Sequence, residues 1–313
     1  MLSKTAGGLF WMFRYLERSE NTSRLIEAGF HIALTRATSS EDEWVSVLTT
    51  AGVKEEYEKK YDNYEASNVI DFILRDQSNS SSVISVFRAA RNNARAVRTA
   101  LTREVWEAIN EGWLTMKALL SNPIEARELP SVLNTIRQKS ALVRGAMHGS
   151  MLRNEIYDFS LLGTFLERAD NTARILDVKY YVLLPSVSYV GSSLDNIQWE
   201  TVLRSVSAQR SYRWLNQGEV KPMGIADFLI LDRRMPRSLA FCYAKILDNL
   251  NHLAIDYDMR HSSFDLAEAT YNQLKSQSIE MIFENGLHEF ILYFIQSNIK
   301  LGHQIEADYN LNG

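Results

Sequence analysis

The chain has 313 residues, 46% hydrophobic and 23% charged, with a formal charge of −4. That balance belongs to a folded chain with a substantial core and excludes a disordered one; the mildly acidic charge argues against nucleic acid as the main partner. One cysteine, Cys242, excludes an internal disulfide framework and fits a reducing compartment.

The first element opens on a greasy run, "GGLFWMFRYL", which ends at Arg14 and continues into a charged helix. It is too short to span a membrane and has no small-residue cleavage site behind it, so it reads as neither a span nor a signal peptide. "EFILYFIQ", near the C-terminus, fails the same length test. These readings lead to the expectation of a soluble, cytoplasmic protein. Prolines and glycines are sparse (5 and 14), and apolar residues recur at helical spacing along most of the chain. The pattern predicts an all-α fold with helices over 8–36, 41–50, 64–76, 82–101, 102–120, 129–152, 155–184, 195–217, 224–232, 237–257 and 264–307, the last of them broken. Disorder is expected in the loop 190–196 and in the tail 308–313. Cys242 falls in the apolar run "LAFCYAKIL" and reads as a buried, inert thiol.

One stretch is written twice. "YLERSENTSRLIE" (15–27) returns as "FLERADNTARILD" (165–177), with Leu, Glu, Arg, Asn, Thr and Arg identical and the other positions conservatively exchanged. The echo extends in order: Trp44 matches Trp199, Tyr57 matches Tyr212, "VIDFIL" (69–74) matches "IADFLI" (225–230), and Ser82, Phe87 and Asn93 fall on Ser238, Tyr243 and Asn249. Such ordered landmarks predict an internally duplicated multi-helix bundle, with repeats of about 1–152 and 153–313. No linker composition separates the halves, so they are expected to pack as one domain with pseudo-twofold symmetry.

On a helical wheel Glu17, Asn21 and Arg24 form a polar ridge on an otherwise apolar helix, and Glu167, Asn171 and Arg174 repeat it; Arg18 and Arg168 complete the two Glu-Arg pairs. Charges inside a buried helix need partners. Two readings stay open: a buried ion-pair network that fixes how the two halves dock, or a polar pocket that holds or acts on a ligand. The small residues Ser19/Thr22 and Ala169/Thr172 are expected to let the two motif helices approach closely.

A second feature is one-sided. "VFRAARNNARAVRTAL" sets Arg88, Arg91, Arg95 and Arg98 on one helix face, whereas the matching positions of the second half are Ala244, Leu247, Asn251 and Ala254. Arginine forks suit phosphate or carboxylate, which makes this stripe a candidate anion site. The alternative is a solvated face that pairs with nearby acids such as Glu104 and Glu107.

No phosphate loop, dinucleotide fingerprint, zinc-protease helix or nucleophile elbow occurs in the chain. Glu284 and His288 lie one turn apart, which alone makes no metal site, and no metal or cofactor is expected. No catalytic residue is assigned.

The opening "MLSKTAGGLFWMFRYLERSENTSRL", its echo "FLERADNTARIL" and "RNNARAVRTALTREVWEAIN" together resemble the bacterial alpha-E domain family, all-helical and named for its Glu-Arg motif. The last segment carries Arg91, Asn93, Arg95, Arg98, Glu104, Trp106 and Asn110 at the places the resemblance requires. "DQSNSSSV" departs by lacking the proline kept at Pro236, which is expected to alter only a helix start. The resemblance implies a neighbouring or fused circularly permuted ATP-grasp protein of the carboxylate–amine ligase type, and transglutaminase-like peptidases. The expected role is a non-catalytic accessory subunit of an ATP-grasp-linked peptide or amide-bond system, presenting an acidic or peptide substrate, with no nucleic acid and no membrane as partner. The alternative is an enzyme of the same pathway, acting on an activated carboxylate or amide through the Glu/Arg ridge.

Overall fold

The computed structural model describes residues 3–35, 41–181, 193–216 and 221–311 and is all-helical over that range. In chain order the helices are α1 (Ser3–Thr35), α2 (Glu41–Ala51), α3 (Lys54–Glu58), α4 (Ala66–Leu74), α5 (Val83–Ala96), α6 (Arg103–Leu119), α7 (Leu129–Ser150), α8 (Glu155–Tyr181), α9 (Ser193–Ser205), α10 (Gln209–Leu215), α11 (Pro222–Ile230), α12 (Leu239–Asp256), α13 (Ser262–Ser276), α14 (Ile279–Asn285) and α15 (Leu287–Asp308). Contacts divide the chain into two compact units, Met1–Glu167 with Tyr309–Gly313, and Arg168–Asp308. The division falls within α8, between the Glu and the Arg of its motif.

In the first unit α1 is the hub, packed on α5, α7 and α2, while α6 packs on α7 and α5. The greasy opening is core: Leu9, Phe10, Met12, Phe13 and Leu16 of α1 are buried with Phe72, Phe87, Ile109 and Phe159. Two glycines allow close backbone approach. A Cβ on Gly163 of α8 would sit 2.2 Å from the carbonyl oxygen of Phe10, and one on Gly7 2.2 Å from that of Leu311. The tail therefore docks where disorder was expected. Tyr309 meets Phe159 of α8 edge-on at 5.0 Å, and Leu311 is buried with its carbonyl against Gly7 of α1. Residues 312–313 of that tail lie outside the described residues, as do 190–192 of the expected loop, while Ser193–Asn196 open α9 instead.

In the second unit α12 packs on α13, α13 and α14 on α15, and α11 on α9, α14 and α12. Cys242 is fully buried, as its apolar run requires. No helix among the described residues is long and apolar enough to cross a membrane.

Helix ends follow local chemistry. Ser82 accepts the Ser85 N–H at the start of α5, and Ser238 accepts the Phe241 N–H at the start of α12. Both helices thus begin one residue after a capping serine, so the missing proline in "DQSNSSSV" changes nothing there. Asn79 holds that turn by donating Nδ2 to the Phe72 carbonyl and accepting the Ser81 N–H.

Two predicted helices end differently, and the last is broken as expected. The span 195–217 breaks at Ser207, whose φ of 55° is left-handed, and resumes as α10. The span 82–101 ends at Ala96 and continues as a 3-10 turn, Arg98–Ala100. The last helix breaks twice, after Ser276 and at Gly286 with φ 100°. The short α3 had no sequence signal of its own.

The same local geometry recurs at matched positions. Trp44 and Trp199 are buried, and Tyr57 and Tyr212 are buried with edge-on contacts to Phe72 and Phe228 at 5.3 and 5.6 Å. Gly52 and Ser207 both adopt positive φ in the turn before these tyrosines.

Candidate functional site

The polar ridge of α1 is inside the first unit: Glu17, Glu20 and Asn21 are each at most 3% exposed. Arg144 of α7 joins two of them, with Nη1 at 3.4 Å from Glu17 Oε2 and Nη2 paired to Glu20. Arg24 donates Nη2 and Nε to the other Glu20 oxygen, at 2.6 and 3.1 Å. Two turns further Arg137 grips Glu27 with both Nη groups, at 2.6 and 3.0 Å. Between these pairs Ser19 and Ser140 share a hydrogen bond of 3.0 Å. The small face at Ser19 thus serves approach to α7, whereas α1 and α8 approach through Gly163. A row of α7 residues at helical spacing (Arg137, Ser140, Arg144) is therefore matched to α1 along its length.

Glu167 of α8 sits in a clamp of two guanidiniums from α1. Arg18 donates Nε and Nη2 to its two oxygens at 2.5 and 3.0 Å, and Arg14 donates Nε at 3.1 Å. The Arg14 guanidinium also lies 4.6 Å over the Trp11 ring, which fixes its plane. Burial pushes the Glu167 carboxyl up, but the charges and hydrogen bonds of Arg18 and Arg14 outweigh it and hold the group at about 2.

The echoed ridge continues in the second unit. Arg174 pairs with Asp170 at 2.7 Å, the same i, i+4 pairing as Glu20 with Arg24. Arg168 donates to the Pro236 carbonyl at 3.3 Å and Thr172 to the Arg237 carbonyl at 2.8 Å, which ties α8 to the turn that leads into α12. Asn171 is partly exposed, and its Nδ2 has no hydrogen-bond partner among the described residues. His288, weighed above with Glu284, instead meets Asp177 through Nδ1 at 2.7 Å.

The arginine stripe has a different character. Arg88 and Arg91 of α5 are partly exposed; Arg95 of α5 and Arg98, on the 3-10 turn rather than the helix, are exposed. Arg88 donates to the Gln77 amide oxygen at 2.9 Å and Arg91 to the Asn110 amide oxygen at 3.0 Å. Arg98 lies over the Trp106 ring at 5.2 Å. Among the described residues no carboxylate pairs with any of the four. Two nearby acids of α6 are engaged elsewhere, Glu107 accepting from Arg103 at 2.7 Å and Glu111 from Lys139 at 2.6 Å, while Glu104 is exposed.

Sequence reasoning missed Arg14, Glu20, Arg137 and Arg144. Glu20 carried a readable signal, its i, i+4 spacing to Arg24. The arginines of α7 carried none, since their partners lie on a helix more than a hundred residues away.

Among curated proteins the chain is similar to uncharacterized proteins of Mycobacterium bovis and Mycobacterium tuberculosis, 22% identical over 263 residues that cover 78% of this chain and 29% of each relative. The chain thus spans less than a third of the length of these relatives. No solved structure matches it. The family model of Alpha-E, described as a predicted alpha-helical domain with a conserved ER motif, matches residues 1–309, and the chain belongs to that family.

Proposed function

We propose that this Alpha-E chain is a non-catalytic accessory subunit of an ATP-grasp-linked system that makes or modifies a peptide or amide bond, binding the ligase or presenting its acidic substrate. The observation that carries this reading is the state of the motif carboxylates: Glu17, Glu20 and Glu167 are buried and held by guanidiniums. A general base works best with a pKa near the operating pH. Glu167 at about 2 is a very weak base, and its two arginines have a carboxylate to hold already. The geometry is that of helix docking, which leaves surface recognition as the remaining task. The much longer curated relatives accord with a domain that works joined to further polypeptide. The ATP-grasp link itself comes from the family resemblance, and a cytoplasmic placement, with transglutaminase-like peptidases as further partners, belongs to the same reading.

Internal duplication is part of this proposal. The capped starts of α5 and α12, the buried tyrosine–phenylalanine pairs and the positive-φ turns before them support two copies of one helical unit. A docking solution is reused when a unit is copied, so the motif's appearance in both copies fits a structural role.

The test is reconstitution with the neighbouring ATP-grasp protein, followed by co-purification and mass spectrometry of products with this chain present or omitted. Stable co-purification, with Glu17→Gln retaining both binding and product, is the expected result. Loss of product in both Glu17→Gln and Arg24→Lys, each still folded, would overturn it in favour of an enzyme.

A further inference from the structure

The surface where α5 and α6 meet has two unlike walls. On α5 and the turn after it stand Arg88, Arg91, Arg95 and Arg98. On α6, Trp106, Asn110 and Trp113 fall on one side by helical angle, and all three are partly exposed. The walls face each other, because Arg91 bonds Asn110 and Arg98 covers Trp106. Gly112 lets them approach, since a Cβ there would lie 2.9 Å from the Phe87 ring.

From these features we infer that the α5–α6 face binds an extended acidic peptide segment through Arg88, Arg91, Arg95 and Arg98. The inference deepens the accessory reading above and rests on it for its biological meaning. Its physical basis is that the arginines are oriented without being neutralised. Gln77 and Asn110 accept from Arg88 and Arg91 but bring no charge, so these two guanidiniums are oriented without an acidic partner among the described residues, with their remaining N–H groups available to a carboxylate.

The spacing points to an extended ligand rather than a compact anion. Arginines three and four residues apart on a helix rise by about 4.5–6 Å each, and the α5 portion of the stripe spans roughly 10 Å. Alternate side chains of an extended peptide are about 6.6 Å apart, a step that flexible arginine arms can follow. On the α6 side Trp113 adds a partly exposed ring beside the stripe. Nucleic acid is disfavoured by the chain's overall charge of −4, which repels a long polyanion beyond the stripe, whereas a short acidic segment meets only the local field. The second unit lacks the stripe, so one peptide per chain is expected.

The test uses the full chain and fluorescein-labelled penta-glutamate, read by fluorescence anisotropy at low and high salt. Comparison probes are penta-glutamine, a ten-nucleotide oligo-dT and inorganic phosphate as competitor. Penta-glutamate is expected to bind, weakening as salt rises, and penta-glutamine is not. Arg95→Glu, at an exposed position with no side-chain bond among the described residues, should weaken binding about tenfold or more with its helical circular dichroism unchanged. Adding Arg91→Glu should abolish it. Arg103→Glu, a neighbouring arginine already paired to Glu107, should leave binding as it is.

The inference is overturned if penta-glutamate does not bind, or if folded Arg95→Glu binds equally well. It is also overturned if oligo-dT binds more tightly through the same arginines, or if millimolar phosphate displaces the peptide completely. Co-purification of Arg95→Glu with the ATP-grasp protein separates the two proposals: peptide binding can fail while the subunit still assembles, and the converse.

Discussion

Arg144 serves two carboxylates of α1 at once, and both are at most 1% exposed. Removing one member of a buried charge group costs more than the group contributes, because the remaining charges stay dehydrated without their partner. Arg144→Ala is therefore expected to destabilise the fold by about 3–5 kcal/mol, measured as a lowered urea midpoint. Arg95→Ala, from the uncompensated stripe, should change the unfolding free energy by no more than about 0.5 kcal/mol. At this scale the sequence was partly readable. Glu20 with Arg24 and Asp170 with Arg174 follow from i, i+4 spacing, whereas Arg14, Arg137 and Arg144 are identified only by what lies across a helix interface.

Helices in the first unit are set by contacts that tolerate no added atom at some places and ignore it at others. Gly163 and Gly145 both sit inside helices, yet only Gly163 faces backbone, and a Cβ at Gly145 meets nothing within 4 Å. Gly163→Ala should cost about 1–3 kcal/mol or more by forcing α1 and α8 apart. Gly145→Ala should stabilise by about 0.5–1 kcal/mol, since alanine loses less freedom on entering a helix. Paired thermal melts of the two variants check both signs. The turn between α9 and α10 offers a third case. Ser207 holds a φ that costs an L-residue energy, and Gly52 occupies the same kind of turn between α2 and α3 without that cost. Ser207→Gly is expected to raise stability by about 1 kcal/mol. Periodicity predicted most helices but ran through Ser207 and Val97, where apolar spacing continues although the backbone turns.

Across the whole molecule the clamp on Glu167 ties stability to pH. Its carboxyl falls from 4.5 to about 2 on folding, so the folded chain takes up this proton less readily than the unfolded chain. The stabilisation is complete above about 4.5 and is lost as pH falls toward about 2. Allowing for the partial exposure of Arg18, it is on the order of 2 kcal/mol. Urea midpoints between pH 6 and pH 2 should fall for the native chain, and Glu167→Gln should be less stable at pH 6 with a flatter profile. A native profile as flat as that of the variant would show that the clamp contributes nothing to folding.

The amino-acid sequence by itself determined the all-helical class, most helix positions and the family, because these rest on short-range periodicity, capping residues and motifs contiguous along the chain. It also marked the arginine stripe as one-sided. Only the tertiary structure decided what the charges do. A buried carboxylate can be a base or half of an ion pair, and the difference lies in which guanidinium stands across the interface. Glu17, Glu20 and Glu167 met such partners, and the arginines of α5 met only amides and an aromatic ring. Partner identity depends on the packing of helices distant in the chain, which no local pattern encodes.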